Sequence, residues 1–199
     1  MSRVSRAEFA DSLSERMHDL EWLSVAGVRH QRVVAELARQ NTALPARFGT
    51  IFLTHNSLAE DVARRQAELE AALKKIAGAD EWGIKIFRVA QTMKAAVPGE
   101  SGSAYLERKA KAMQPRERTV APEVAQFAQS LEAIAREVAP GGSITKAQPA
   151  LEWQTSILLP RGSKQKFDAA IQRFARDQQQ KYRIEVTGPW PPYSFVKHG

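Results

Sequence analysis

A chain of 199 residues, 43% hydrophobic and 26% charged, carries enough apolar content to bury one large core or two small ones, and it lies outside the disordered range. No segment approaches the roughly 18 uncharged apolar residues a membrane helix needs, and the start, with Arg3, Arg6, Glu8 and Asp11, has no apolar secretory core, so a cytoplasmic protein is expected. The absence of cysteine excludes disulfides, thiolate nucleophiles and Cys-based metal sites, while a formal charge of +7, densest from Arg161 to Arg183, leaves nucleic acid, an anionic surface or an acidic protein as partner classes.

Residues 7–18 read as a short helix, with Phe9, Leu13 and Met17 spaced by four. A second helix is expected from Val28 to Gln40, with Val33, Val34 and Leu37 on one face and Asn41 and Pro45 marking its end. Ala46 to Leu53 is a short apolar run with a glycine inside it, read as a strand or an extended turn. Ser57 as N-cap and Glu60 three residues on have capping-box spacing. The stripe Leu58, Val62, Leu69, Leu73 and Ile76 continues that helix to Gly78, a left-handed stop.

From Trp82 the period changes. Trp82 to Val89 is apolar in both alternation sets, the look of a central strand covered on both faces. Residues 95–103 read as a loop, and a broken helix is expected from Ser103 to Ala139, with Val124, Phe127, Leu131, Ile134 and Val138 on one face. Ser143 to Ala147 is expected as a short edge strand. Leu151 to Leu159 alternates with a period of two, Pro160-Arg161-Gly162 turns the chain, and Ser163 is placed as the cap of a helix burying Phe167, Ala170, Ile171 and Phe174. Tyr182, Ile184 and Val186 mark a last half-buried strand.

The order β-α-β-β-α-β, with right-handed crossovers, predicts an α+β protein with a ferredoxin-like sandwich over residues 81–199. Residues 1–80 are expected as a smaller α-rich unit.

Signals for chemistry are sparse. His18, His30, His55 and His198 show no metal-ligand spacing, and the acid pairs Glu60/Asp61 and Asp80/Glu81 read as cap partners or solvated surface. No nucleophile elbow, P-loop or dinucleotide fingerprint is present, so no catalytic residue, metal, cofactor or small-molecule substrate is expected. A basic ferredoxin-like module also raises nucleic-acid binding as the alternative function. Against it, Trp82 to Val89 lacks the aromatic pattern on which RNA bases stack.

The segment Thr187 to Val196 is harder to read as plain surface. Three prolines remove backbone donors, so the stretch is expected not to extend the sheet, and it holds Trp190, Tyr193 and Phe195 within six residues. Such a segment either clamps over the protein's own core or presents rigid aromatics to a partner.

Gly188-Pro189-Trp190-Pro191-Pro192-Tyr193-Ser194-Phe195 resembles the C-terminal signature of the gas vesicle protein F/L family (GvpF/GvpL). His30 with Val33-Val34, the run Leu44 to Phe52 containing Arg47, Phe48, Gly49 and Thr50, and Glu81-Trp82-Gly83-Ile84-Lys85 resemble further family motifs in the same order, with Gly102 to Leu106 a weaker match. The resemblance implies a non-enzymatic accessory in gas vesicle assembly, located in the cytoplasm at the vesicle, that binds the hydrophobic shell protein and other vesicle proteins. Its partner-contact candidates are these motif residues: His30, Arg47, Phe48, Gly49, Thr50, Trp82, Gly83, Lys85, Gly188, Pro189, Trp190, Pro191, Pro192, Tyr193 and Phe195. Arg47 and Lys85 are read as salt-bridge partners in an interdomain seam, with Phe48 packing and Gly49 allowing a tight backbone turn. Family members usually begin with a strand of the Y-x-Y-x-I-V kind that this chain lacks, so either a short or a truncated member is expected, with 1–80 a partial version of the family's N-terminal domain.

Overall fold

A computed structural model describes residue 16 and residues 18–89, 120–141 and 150–196. The expected helix at 7–18, the loop at 95–103, the helix from Ser103 as far as residue 119 and the strand at 143–147 lie outside the described residues, apart from positions 16 and 18. The described elements are α1 (Leu20–Gln40), α2 (His55–Arg64), α3 (Gln66–Ile76), β1 (Ala79–Arg88), α4 (Pro122–Glu132), β2 (Glu137–Pro140), β3 (Leu151–Pro160), α5 (Lys164–Asp177) and β4 (Tyr182–Trp190), with short 3-10 turns at Arg161–Ser163 and Tyr193–Phe195.

The four strands form an antiparallel sheet in the order β2-β3-β1-β4. Arg161 N–H donates to Gly78 O beyond one end of β1, and Arg88 N–H to Ala150 O at the other, which runs β1 against β3. With α4 before β2 and α5 before β4, this is the expected ferredoxin-like order, and β1 lies inside the sheet as its doubly apolar pattern predicts.

By internal contacts the chain sorts into two compact units, one of residues 1–82, 158–161 and 188–199, the other of 83–157 and 162–187. In the second unit, Ile84 and Ile86 of β1, Val124, Phe127 and Leu131 of α4, Ile157 of β3 and Phe167 of α5 are buried. Phe127 meets Phe174 at 4.4 Å between ring centroids, and Phe174 meets Tyr182 at 6.0 Å. This aromatic row joins α4, α5 and β4.

In the first unit, α1 starts at Leu20, eight residues earlier than expected. Asp19 supplies the cap, its carboxylate accepting from Glu21 and Trp22 N–H at 3.0 and 3.1 Å. Val34 is buried, but Val33 and Leu37, expected on the same face, are exposed. The next cap is Thr54 and not Ser57: Thr54 Oγ1 accepts from Ser57 N–H, and Ser57 Oγ is within 3.3 Å of Thr54 N, so the box spans Thr54–Ser57. The single expected helix is divided at Arg65, whose backbone leaves helical geometry (φ −100°, ψ 10°).

Three further expectations change. The helix predicted through Ala139 stops at Glu132, and Glu137–Pro140 pairs with β3 as the edge strand; Thr155 Oγ1 donates to Ala139 O at 2.9 Å, so Val138 belongs to a strand. Ser163 precedes α5 without a side-chain capping bond. β4 continues to Trp190 in spite of Pro189; β4 is an outer strand of this sheet, the position where proline is tolerated.

Replacing Phe174 with Ala removes the middle of the aromatic row. The expected loss is about 3–5 kcal/mol of unfolding free energy in urea denaturation. A loss under about 1 kcal/mol would show that the row contributes little to the core.

Candidate functional site

Several of the motif residues meet within the first unit. The turn Arg47-Phe48-Gly49-Thr50 is closed by Thr50 N–H on Arg47 O at 3.1 Å, and Gly49 sits in its third position at φ +86°, the left-handed geometry type II turns reserve for glycine. Ala46 to Leu53 is therefore a turn and contains no strand. The turn carries Phe48 to α1, where its ring and that of His30 meet in a T-shaped pair at 5.7 Å and Trp22 lies at 6.2 Å. His30 Nε2 lies 3.1 Å from Ala46 O, and its ring is 6.4 Å from that of Tyr193. One histidine thus touches both the loop and the C-terminal segment.

Glu81 is the second point of convergence. Its side chain is buried, and its carboxylate accepts from Ser194 N–H at 2.9 Å and from Ser194 Oγ–H at 2.6 Å. Alongside, Gly188 takes φ +128°. A Cβ there would stand 2.8 Å from Glu81 O and 3.1 Å from the Trp82 ring, so only glycine lets the strand end approach so closely. The Gly188–Pro189 peptide bond is cis. Pro191, Pro192 and Phe195 are buried and Tyr193 is half-buried, whereas Trp190 stays 44% exposed.

Asp80, the neighbour of Glu81, takes Arg161 Nε at 3.2 Å and Nη2 at 3.1 Å, and this pairing raises the Arg161 pKa above its ordinary value. The acid pair read as cap or solvated surface is thus two structural acceptors. Glu81 and Ser194 were missed as site residues. The available signal was the acid pair Asp80-Glu81 directly before the apolar run of an inner strand.

The remaining candidates are less engaged. Arg47 and Thr50 are exposed, and no ion pair among the described residues includes Arg47 or Lys85, so the expected salt bridges are not formed there. Gly83 and Lys85 belong to the second unit, where Gly83 lies against Thr187. No helix among the described residues is long and apolar enough to cross a membrane. Glu81 and Ser194 satisfy each other, and the segment they hold leaves the Trp190 indole partly exposed.

The α+β architecture and motif convergence describe a protein class built around a clasped C-terminal segment, and comparison with known proteins gives that class a family. The profile described as "Gas vesicle synthesis protein GvpL/GvpF" matches residues 1–197, and the chain belongs to this family. It is 26% identical over 206 aligned positions to "Gas vesicle protein L" of Streptomyces sp. (strain CB03234), covering 92% of this chain and 73% of that one. It shares its fold with the crystal structure of GvpF from Anabaena sp. PCC7120, at a TM-score of 0.64 and 17% identity over 86% of this chain and 77% of that one. GvpF from Microcystis aeruginosa gives a TM-score of 0.64 at 20% identity, covering 89% and 78%. The family places the chain among gas vesicle proteins.

Glu81→Gln retains one acceptor where two donors converge. It is expected to cost about 1–3 kcal/mol and to speed amide exchange at Tyr193 to Val196 while α5 is unchanged. Equal exchange in both proteins would mean the segment is held without the carboxylate.

Burial pushes the Tyr193 phenol above its ordinary pKa, and burial, then the Glu123 charge, does the same for Tyr182. The native state binds both protons more tightly than the unfolded chain. The linked stability is therefore complete below pH 10.0, the ordinary value, and declines as pH rises through the folded-state values. Tyrosinate absorbance should show a delayed fraction that shrinks in Tyr193→Phe. A titration finished at the ordinary value would contradict it.

Proposed function

We propose that this chain is a non-enzymatic docking protein in gas vesicle assembly, acting in the cytoplasm at the vesicle and binding the hydrophobic shell protein and other vesicle proteins. The observation that carries the reading is Trp190, left 44% exposed between anchored neighbours. Upstream, Gly188 is wedged against Glu81 and Trp82; downstream, Pro191, Pro192 and Phe195 are buried and Ser194 is bonded to Glu81. A large aromatic whose backbone is already ordered loses little entropy on contact, and this favours it as a binding anchor. The unit that bears it is also the more apolar outside. Of the exposed large apolar side chains among the described residues, only Val89, Val120 and Val138 lie elsewhere; Leu20, Val25, Leu53 and others belong to it. The sequence offers no nucleophile, acid-base pair or cofactor loop to set against this reading.

Retention of the purified shell protein on the immobilised chain tests it. Trp190→Ala is expected to weaken retention about tenfold without lowering the unfolding midpoint. Undiminished retention would remove Trp190 from the contact, and no retention by the unaltered chain would remove the docking reading itself.

A further inference from the structure

α1 has a face that its own fold does not use. Over 21 residues it buries Ala26 and Val34, and His30 turns toward the Phe48 loop. Away from these, Val25, Arg29, Arg32 and Glu36 follow one another at helical spacing, with Val28 and Val33 flanking them. Val25, Val28 and Val33 are 56%, 50% and 47% exposed. β-Branched residues are poor helix formers, so at exposed positions they serve neither the helix nor the core.

The charges on this face are also unmatched. From Ser24 to Ala35 the helix contains Arg29 and Arg32 and no acid. Both arginines are exposed, and neither enters an ion pair or a side-chain hydrogen bond among the described residues. Glu36, one turn beyond Arg32, is already occupied: one oxygen accepts from Arg39 and the other from Gln40. Arg47, in the turn packed against His30, is a third exposed cation without an ion pair there. Like charges one turn apart repel, and a carboxylate set between them removes that cost.

We infer that the outer face of α1 docks an acidic amphipathic helix of another protein. Aliphatic side chains of that helix cover Val25, Val28 and Val33, and its Asp or Glu residues, one turn apart, meet Arg29 and Arg32. Exposed ion pairs contribute little affinity, so the valines supply the contact area and the arginines select the sign of the partner. A second copy of this chain paired through the same face would set these arginines against themselves, and the formal charge of +7 adds to the repulsion. A lipid surface favours an unbroken apolar stripe, and a nucleic-acid backbone a longer run of cations; here valines and arginines are interleaved. This contact needs neither Trp190 nor shell-protein binding.

Three fluorescent helical peptides of one Leu-rich amphipathic sequence, with Glu, Gln or Lys at the same positions, are the probes, measured by anisotropy against the full chain. The Glu peptide is expected to bind about tenfold more tightly than the Lys peptide at low salt, and the advantage should shrink as salt is raised. Arg29→Glu with Arg32→Glu should reverse the order. Lys166→Glu with Arg173→Glu replaces two exposed cations of α5 that also lack ion pairs among the described residues. It changes the net charge equally and should leave the order as it is. Val28→Ala with Val33→Ala should weaken the Glu peptide about tenfold while the unfolding midpoint holds or rises, since alanine is the better helix former.

Equal binding of the Glu and Lys peptides, or a preference untouched by the α1 reversal, overturns the proposal. A preference shifted as far by the α5 pair belongs to net charge and overturns it too. A midpoint lowered by the valine substitutions would make those side chains part of the core. Tighter binding to phosphatidylglycerol–phosphatidylcholine vesicles or to a single-stranded oligonucleotide, lost in the α1 reversal, would give the face to lipid or nucleic acid. Self-association abolished by the same reversal would give it to a second copy of the chain.

Discussion

The carboxylate of Glu81 is the constraint from which the rest of the site follows. A carboxyl group taken out of water costs free energy unless hydrogen-bond donors meet it. Here the donors are the backbone N–H and the hydroxyl of one residue, Ser194, at 2.9 and 2.6 Å. Satisfying Glu81 therefore requires the C-terminal segment at one place and in one register. With Ser194 positioned, Phe195, Pro191 and Pro192 are buried, and Gly188 adopts the positive φ that lets the strand end lie against Glu81 and Trp82. Trp190 is the large residue that this arrangement leaves outside.

The two units reach stability differently. The second is a conventional sandwich, with fully buried aliphatic residues and a row of rings joining α4, α5 and β4. The first has helices that bury little of themselves: α1 buries Ala26 and Val34 over 21 residues, and α2 buries none. Its helices depend more on caps, at Asp19 and Thr54, and its interior on the Arg47–Thr50 turn, the His30 ring and the clasped segment. The family motifs are therefore foremost structural. The turn needs Gly49, the strand end needs Gly188, and Glu81 needs Ser194. A docking role is compatible with this, since a surface made of short, half-buried helices retains apolar area that a dense core would absorb.

Much of the sandwich was legible in the sequence. The doubly apolar run at Trp82 marked an inner strand, the alternation from Leu151 marked another, and Phe167 with Phe174 marked the buried face of α5. Local competition was misread. Thr54 and Ser57 are both good caps, and the choice falls on Thr54 because Ser57 can answer it from N3. Val138 fits a helical stripe and a strand equally well, and pairing with β3 decided for the strand.

The proline-rich end marks the limit of such reading. Residue types alone established a stiff, aromatic, donor-poor segment and, by its motif, the family to which the chain is similar. Whether that segment sealed the interior or faced a partner depended on one buried acid over a hundred residues earlier in the chain, and on β4 having an outer position in the sheet that tolerates Pro189. Periodicity reports which neighbours a residue has along its own element. The partner of the Glu81 carboxylate, and the exposure of one indole beside the buried Pro191 and Pro192, are set by contacts distant in sequence, and only the tertiary structure decides them.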